Sequence, residues 1–379
     1  MSRIVYLDNS ATTAVCEQAA KKAYYMMTEN YGNPSSLHTL GFEASKELEA
    51  TREVIANSLG VSPAEIFFTS GGTESNNTAV FGAVNALKRR GNRIVTTAVE
   101  HSSVIESAEK LKKDGYDVVF LEPDKSGAVP IEKFANAINS DTILVSAMAV
   151  NNETGAIQPI KLISNIISKS GSPALFHCDA IQGFGKIRLR PQKLGVDLMS
   201  ISSHKIHGPK GVGALYIRKG ARIVPLHYGG EQEKKIRPGT EPLPLICAFG
   251  EAVRALPNID EEYEYIENLC SYCKEKVSEI PNVYINSPDG ALPYILNISA
   301  VGVRSETMLH YLAEYGIYVS SGSACAKGKK SHVLTAMGLS PERIDSAIRI
   351  SFSRFNAKED IDIFAERLSE GMKALAKSR

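Results

Sequence analysis

The hydrophobic residues between positions 66 and 217 fall into short runs that alternate with longer polar or amphipathic stretches. Short runs rich in β-branched and aromatic residues predict strands, and their alternation with helical stretches predicts a parallel sheet covered by helices. The predicted strands are residues 66–69, 93–97, 118–121, 142–149, 174–179, 198–202 and 214–217. The predicted fold class is therefore α/β, with a large domain built on a mostly parallel, seven-stranded sheet.

Polar clusters follow the ends of several predicted strands. They are Gly71-Gly72-Thr73, His101, Asn151-Asn152, Asp179 and residues 202–205. Ligands of open α/β sheets bind outside the carboxyl ends of the strands. We therefore expect a single site at this edge of the sheet.

The pattern changes after Pro257, where a smaller α+β domain is predicted. Its predicted elements are a charged helix over 259–280, strands near 283–286 and 294–298, a helix over 305–315 and a closing helix from Ala357. At 379 residues the chain exceeds the ~250–300 residues at which a single hydrophobic core usually stops growing. We expect a large domain over 14–257 and a small domain made of 1–13 and 258–379.

The composition of the chain argues against several classes of function. With 43% hydrophobic residues, 22% charged residues and a net charge of +1, the chain resembles an ordinary globular protein and has no overall basic surplus to hold nucleic acid. No apolar stretch approaches a secretion signal or the ~20 residues of a membrane span, so we expect a cytoplasmic protein. The six scattered cysteines predict reduced thiols, and Cys270 and Cys273 are interpreted as two helical thiols because no nearby Cys/His pair completes a zinc site.

Residues 66–80 predict a strand, a glycine turn and the start of a helix. This arrangement directs backbone N–H groups and the positive end of a helix dipole at one point, which favours phosphate. The turn lacks the Gly-Lys-Ser/Thr of a Walker loop and the Gly-x-Gly-x-x-Gly of dinucleotide sites. Taken alone, a purely structural turn is an equal interpretation.

Lys205 stands at the end of the strand predicted over 198–202, before a glycine-rich hairpin. A partly desolvated lysine beside a phosphate site can form a Schiff base. Asp179 ends the preceding predicted strand, so both side chains can face one pocket. Pyridoxal phosphate chemistry needs such a lysine and a carboxylate that keeps the ring nitrogen protonated. A solvated Lys205 and a helix N-cap role for Asp179 are the alternatives.

Cys325 lies in a loop of small residues, with Lys327, Lys329 and Lys330 beside it. Small residues permit the loop to move, and nearby ammonium groups favour the thiolate that nucleophilic attack requires. A free surface thiol is the alternative.

Taken together, these segments resemble the cysteine desulfurases of the iron–sulfur-cluster-assembly and nitrogen-fixation type, which are fold-type-I pyridoxal-phosphate enzymes of the class-V aminotransferase group. The resemblance covers nearly the whole chain. Its motifs are residues 6–13, 33–38, 69–76, 100–101, 151–155, 179–182, 203–205, 237–240 and 320–325, with Arg349.

The resemblance implies a role for each matching residue. Lys205 is similar to the lysine that holds the cofactor, Asp179 to the partner of the ring nitrogen, and His101 to the residue that stacks on the ring and moves protons. The phosphate ligands implied are Gly72, Thr73, Ser202 and His204, with Thr240 supplied by the second subunit of a homodimer. Gln182 is implied for the ring hydroxyl, Asn152 for cofactor and substrate, and Arg349 for the substrate carboxylate.

The reaction implied is conversion of L-cysteine to L-alanine, with Cys325 attacking the substrate sulfur and keeping it as a persulfide. The sulfur would serve iron–sulfur clusters or the thiolation of tRNA or cofactors through an acceptor protein. No resident metal is expected, and transient ligation of a cluster by Cys325 stays open.

The sequence departs from the cluster-assembly branch of the family in two places. The segment after Cys325 is shorter and more basic, and the chain ends at Arg379 without a long tail. Delivery to a cluster scaffold is therefore one alternative beside a tRNA-thiolation enzyme, and the lysines also fit a solvated charge run. Selenocysteine lyase, class-V aminotransferase and a non-enzymatic binding protein are the alternative functions, although the last predicts loss of Lys205 or Asp179.

Overall fold

The computed structural model describes residues 3–321 and 330–375. Within these residues the chain forms twelve strands and thirteen α-helices, which we number in chain order. The strands are β1 (Val5–Tyr6), β2 (Ile66–Thr69), β3 (Arg93–Thr97), β4 (Asp117–Leu121), β5 (Thr142–Ser146), β6 (Leu175–Asp179), β7 (Leu198–Ser202), β8 (Gly213–Ile217), β9 (Val283–Ile285), β10 (Ile295–Ala300), β11 (Ile317–Tyr318) and β12 (Ala347–Ser351).

The helices surround these strands. They are α1 (Glu17–Thr28), α2 (Thr39–Leu59), α3 (Gly72–Leu87), α4 (Ser102–Lys113), α5 (Ile131–Ala137), α6 (Ile160–Lys169), α7 (Pro191–Leu194), α8 (Leu243–Arg254), α9 (Ile259–Ser278), α10 (Ser305–Glu314), α11 (His332–Ala336), α12 (Pro341–Asp345) and α13 (Lys358–Leu375).

The main sheet has seven strands in the order β2-β8-β7-β6-β5-β3-β4. The pairs from β7 to β4 are parallel, and β8 is antiparallel to both of its neighbours. The prediction of a mostly parallel, seven-stranded sheet is confirmed. The parallel pairing places the carboxyl ends of β3, β5, β6 and β7 along one edge of the sheet.

The central strands are buried on both faces because helices cover the sheet on each side. Every residue of β5, β6 and β7 is buried. Strands of this kind have nearly continuous apolar sequences. Their few polar side chains are paired inside the core; for example, the ring of His177 contacts Ser146 Oγ at 2.8 Å and Ser200 Oγ at 3.0 Å.

A second, smaller sheet contains the antiparallel strands β12, β10 and β9 in that order. The N-terminal segment joins this part of the molecule, because β1 pairs with β11 and Asp8 bridges Ser351. From there the chain runs to the main sheet, where Thr13 N donates to His204 O at 3.0 Å. The segment that connects the two sheets therefore passes beside the end of β7.

Most helices bury one face. In α6, for example, Ile160, Ile163 and Ile167 are buried and Leu162 is exposed. The helix α9 contains Cys270 and Cys273, and both are buried thiols, in agreement with the sequence interpretation. In the described part of the chain, no helix combines the length and apolarity needed to span a membrane.

Two predictions differ from the structure in detail. The strand predicted over 142–149 ends at Ser146, although Ala147 N and Ala149 N still donate to the carbonyls of His177 and Asp179 in β6. The helix N-cap alternative for Asp179 is wrong. Residues 180–187 form turns, and Asp179 Oδ1 accepts from Ile181 N within the first of them.

Candidate active site

A cavity of about 380 Å³ opens at the carboxyl ends of the parallel strands, between the main sheet, the N-terminal segment and β12. The predicted site residues that line it are Gly72, Thr73, His101, Asn152, Asp179, Gln182, Ser202, His204, Lys205 and Arg349. The structure thus brings together residues that lie as far apart in the chain as Gly72 and Arg349. Thr240 is exposed and lies outside this cavity, and Cys325 lies outside the described residues.

Lys205 enters the cavity from a one-turn 3₁₀ helix, Ser203–Lys205, that follows β7. Its Nζ donates to Ala11 O at 2.8 Å and to Ser10 O at 2.5 Å. Burial lowers the pKa of Lys205 to about 7, with help from Arg349 and Lys186 and against the opposing effect of Asp8 and Asp179. A large fraction of the amine is therefore neutral and nucleophilic near neutral pH.

Asp179 is 4% exposed at the end of β6. Its Oδ2 accepts from Asn76 Nδ2 at 2.7 Å, and its Oδ1 accepts from Ile181 N at 3.0 Å. Two donors therefore fix the carboxylate as a buried hydrogen-bond acceptor at the wall of the cavity. Asn76 is one turn into α3, so the same helix begins at the glycine turn and holds Asp179.

The opposite end of the cavity has the features of an anion site. Helix α3 begins after Gly71, whose φ is 147° and which provides no side-chain cap, so the N–H groups of its first turn are available. A Cβ on Gly72 would lie 2.2 Å from Ile181 Cδ1, so a larger residue there would require the Ile181 side chain to move. Ser202 Oγ is buried without a hydrogen-bond partner among the described residues. Burial, followed by Lys205, lowers the pKa of the adjacent His204 to about 4.

His101 is the N-cap of α4 and lines the cavity. Its Nδ1 accepts from Ser103 N at 3.2 Å and contacts Ser103 Oγ at 2.8 Å. Ser103 Oγ in turn accepts a hydrogen bond from Asn76 Nδ2 at 2.9 Å. Burial is the main cause that lowers the pKa of His101. A neutral ring that accepts at Nδ1 carries its proton on Nε2, which is the nitrogen left for chemistry.

Arg349 is the middle residue of β12, an outer strand of the smaller sheet, and it lines the cavity. Its Nη1 donates to Asn152 O at 3.0 Å and its Nη2 to Asp8 Oδ1 at 2.8 Å. The Nε of Arg349 is buried and has no partner among the described residues. One edge of the guanidinium is therefore oriented by the protein, and a donor is left for a ligand.

Sequence reasoning missed several residues of this site. The carbonyls of Ser10 and Ala11 receive Lys205, Glu153 and His332 line the cavity, and Lys186 lies behind it. The backbone carbonyls left no signal in the sequence. Glu153 and His332 fall within or next to the motifs, but only the fold places them at the cavity.

Pyridoxal phosphate fits the donor set of this cavity. Ser202 Oγ, without a partner, lies beside the start of α3, where a phosphate is favoured. Asp179 provides a buried acceptor for a protonated ring nitrogen, and Lys205 provides a largely neutral amine. These residues could therefore hold the cofactor between α3 and β7.

Comparison with known proteins agrees with this geometry. The aminotransferase class-V family model matches residues 5–364. The chain is 41% identical to a cysteine desulfurase IscS of Methanosarcina thermophila over 373 residues, covering 97% of this chain and 92% of that protein. It is 43% identical over 377 residues to a NifS/IcsS protein homolog of Lactobacillus delbrueckii subsp. bulgaricus, covering 97% of both.

A solved structure of a NifS-like protein has the same fold. It aligns with a TM-score of 0.93 and 39% identity, covering 98% of this chain and 100% of that chain. The family model extends from β1 into α13, so the match includes both sheets and the cavity between them. This chain belongs to the class-V aminotransferase family.

Proposed function

We infer that this protein is a pyridoxal-phosphate-dependent cysteine desulfurase that converts L-cysteine to L-alanine and keeps the sulfur as a persulfide on Cys325. The observation that carries this inference is the pairing of Lys205, whose pKa is lowered to about 7, with the anchored carboxylate of Asp179 in one cavity. The relatives support the reaction, since the protein from Methanosarcina thermophila is named a cysteine desulfurase.

Different residues of the cavity would bind different parts of the cofactor. When bound, pyridoxal phosphate withdraws electrons from the Cα of an amino acid. Lys205 would hold it through its amine, and Asp179 would keep the ring nitrogen protonated. Ser202, His204 and the start of α3 at Gly72 and Thr73 would bind the phosphate, and His101, Asn152 and Gln182 would contact the ring. The buried, unpartnered Ser202 Oγ supports the phosphate assignment.

The same cavity orients the substrate. Arg349 binds the carboxylate of L-cysteine, with support from Asn152, because a planar guanidinium holds a carboxylate through two N–H groups. Lys205 would act as the base that takes the proton from Cα. Its lowered pKa of about 7 supports this role, because about half of the amine is then neutral at pH 7. His101, neutral and protonated at Nε2, is positioned to move a proton at the substrate.

The described residues on either side of Cys325 border the cavity. Ser320 N donates to Arg349 O at 3.1 Å, and Arg349 N donates to Ser320 O at 2.6 Å. Lys330 lines the cavity. Cys325 is five positions along the chain from each of them, and a segment of that length spans up to about 17 Å. Covalent geometry therefore allows the thiol of Cys325 to reach the substrate sulfur.

The sulfur transfer balances without an external oxidant. The thiolate of Cys325 attacks the sulfur of L-cysteine, forming an S–S bond while the Cβ–S bond breaks. The electron pair of the broken bond stays on Cβ, which takes a proton to give alanine. The protein retains one extra sulfur atom as a persulfide. This division into two steps is the advantage of covalent catalysis.

The test is a single turnover without reductant. The holoenzyme is mixed with L-cysteine, and alanine and the mass of the Cys325 peptide are measured together. Alanine formed in step with a gain of one sulfur on that peptide supports the proposal. Cys325→Ser should retain the cofactor spectrum and lose both products. Cys16→Ser is the matched control, since Cys16 is a buried N-cap where serine is favoured.

Other outcomes of the same experiment point elsewhere. Turnover sustained by a keto acid, without sulfur on Cys325, would identify an aminotransferase. Turnover of selenocysteine but not of cysteine would identify a selenocysteine lyase. Full activity of Cys325→Ser with dithiothreitol would overturn the assigned role of the thiol.

A homodimer is part of the proposal. Large apolar side chains of α1, α2 and the segment between them are exposed, among them Tyr24, Met27, Leu37, Leu40 and Phe42, and a second copy of the chain would cover them. Thr240, also exposed, would then contact the phosphate in the partner. Sedimentation should give twice the chain mass, and Phe42→Asp should lower it. Thr240→Val should weaken cofactor binding without dissociating the dimer.

The destination of the sulfur is an acceptor protein, serving iron–sulfur clusters or the thiolation of tRNA or cofactors. We also propose a cytoplasmic location, which the free thiols of Cys16, Cys178, Cys247, Cys270 and Cys273 support. The domain division into 14–257 and 1–13 with 258–379 is retained as a proposal. The pairing of β1 with β11 supports placing the N-terminal segment with the smaller sheet.

A further inference from the structure

Lys186 is a buried cation that takes no part in the chemistry described above. It is 7% exposed, and burial lowers its pKa to about 8. Among residues 3–321 and 330–375, no carboxylate forms an ion pair with it; Glu262 is the acid that raises its pKa, while Arg349 lowers it. Burying a weakly compensated ammonium group costs folding free energy. The contacts of Lys186 show where this charge acts.

The first contact is with Gln182, one helical turn earlier. Lys186 Nζ lies 3.5 Å from Gln182 Oε1, and it lies over the ring of Tyr294 at 5.4 Å from the centroid. The other end of the amide, Nε2, donates to Ser10 O at 3.0 Å. A flipped amide would place N–H donors against the ammonium and an acceptor against a carbonyl. Lys186 therefore favours one orientation of Gln182, with its NH₂ group toward Ser10.

The second effect is on Lys205. Ser10 O accepts from both Gln182 Nε2 and Lys205 Nζ, so the two side chains share one anchor. Lys186 and Lys205 also line a common cavity of about 20 Å³, and Asp179 is not among its lining residues. The charged groups that act on Lys205 are Arg349 and Lys186, which disfavour its protonation, and Asp8 and Asp179, which favour it.

We propose that Lys186 is a positioning residue of the active site: it fixes the amide of Gln182 and disfavours a positive charge on the nitrogen of Lys205. This inference deepens the proposed function and rests on it, because it concerns the lysine that holds the cofactor. Lys186 touches neither the cofactor nor the substrate in this assignment. It acts through Gln182 and through its charge.

The test is a pH titration of the holoenzyme without substrate, followed by the visible absorbance of the cofactor attached to Lys205. This absorbance reports protonation of the nitrogen that links the two. Lys186→Met removes a nearby positive charge, so the apparent pKa of that nitrogen should rise, by about one unit. Lys186→Arg keeps the charge and should titrate close to the parent protein.

A merely structural role predicts a different result. It would lower the melting temperature of Lys186→Met and leave the titration midpoint unchanged, and that outcome would overturn the proposal. Where Lys186→Met does not fold, Lys186→Gln is titrated instead, since it keeps a donor for Gln182 and removes the charge. The same upward shift is expected, and its absence would count against the proposal.

The outcome is separable from failure of the proposed function. The titration uses neither L-cysteine nor Cys325. A shifted midpoint together with no persulfide on Cys325 would retain the role of Lys186 and reject the desulfurase assignment. An unshifted midpoint with normal persulfide formation would reject the role of Lys186 and support the desulfurase assignment.

Discussion

The guanidinium of Arg349 forms an ion pair with Asp8, with 2.8 Å between Nη2 and Oδ1, although the two residues lie at opposite ends of the chain. The side chain of Arg349 is 4% exposed and that of Asp8 is 21% exposed. Asn152 O binds the other terminal nitrogen at 3.0 Å. The pair fixes the plane of the guanidinium, so in the proposed role of Arg349 less side-chain entropy would be lost when a substrate carboxylate binds.

Replacement of Arg349 by lysine keeps the charge and removes the planar fork. We expect the KM for L-cysteine to rise by about 10-fold or more, because an ammonium group cannot hold a carboxylate through two parallel N–H groups. The cofactor spectrum should be retained. Steady-state kinetics measure the effect, and Arg188→Lys, on an exposed ion pair with Asp260, is the matched control. An unchanged KM would remove Arg349 from the substrate site.

Asp179→Asn tests the proposal that this carboxylate pairs with the ring nitrogen of the cofactor. The asparagine retains the shape but cannot hold a proton on the ring nitrogen by charge, so kcat should fall by about 100-fold or more. Cofactor attachment through Lys205 should persist, which the visible spectrum will show. Asp260→Asn, at an exposed carboxylate, should keep full activity. A spectrum and a kcat like those of the parent protein would contradict the assignment.

The pKa of Lys205 can be tested by cofactor uptake. The pKa of about 7 means that the rate constant for attachment of pyridoxal phosphate to the cofactor-free protein should rise about 10-fold per pH unit below pH 7 and level off above it. The sign follows from burial, which disfavours the charged amine. Nα-acetyl-lysine is the control, since its rate should rise to about pH 10. Parallel profiles for protein and control would contradict the assignment.

Much of the large sheet was predictable from the sequence. The strands at 66–69, 93–97 and 198–202 were predicted to the residue, because their runs are apolar and end at glycine, threonine or serine. The segment 142–149 was predicted too long. Ala147 and Ala149 are as buried as the strand before them, and a hydrophobic pattern cannot distinguish a buried turn from a buried strand.

The sequence predicted which residues gather at the cavity better than it predicted the contacts between them. Motif resemblance named Asp179 and Lys205, but it did not pair Asp179 with Asn76, 103 positions away, or Lys205 with the carbonyl of Ser10, 195 positions away. Such contacts depend on how the N-terminal segment crosses the sheet. Lys186 was also missed, because nothing in the sequence indicates that a lysine after a glycine turn is buried.

Ser331 anchors the chain where it re-enters the described structure after Cys325. Its Oγ donates to Glu153 Oε2 at 2.5 Å and accepts from Leu334 N at 3.0 Å, as the N-cap of α11. Both Ser331 and Glu153 are buried. Ser331→Ala should therefore lower the free energy of unfolding by about 2–3 kcal/mol, since it removes a cap and leaves a buried carboxyl without its donor.

Ser340→Ala is the matched control, because Ser340 caps α12 at an exposed position and should cost only about 0.5–1 kcal/mol. Burial raises the pKa of Glu153, and the bond from Ser331 opposes that rise. Loss of the bond raises the pKa of Glu153 further in the folded state. Above the pKa of the unfolded chain, the folded protein then binds more protons than the unfolded chain does. The free energy of unfolding therefore falls as pH rises through this range. The deficit of Ser331→Ala should thus be larger at pH 8 than near pH 4, which lies below the unfolded pKa of a glutamate, in urea unfolding, while that of Ser340→Ala should not change. Equal, pH-independent losses in the two variants would mean that Ser331 is only a helix cap.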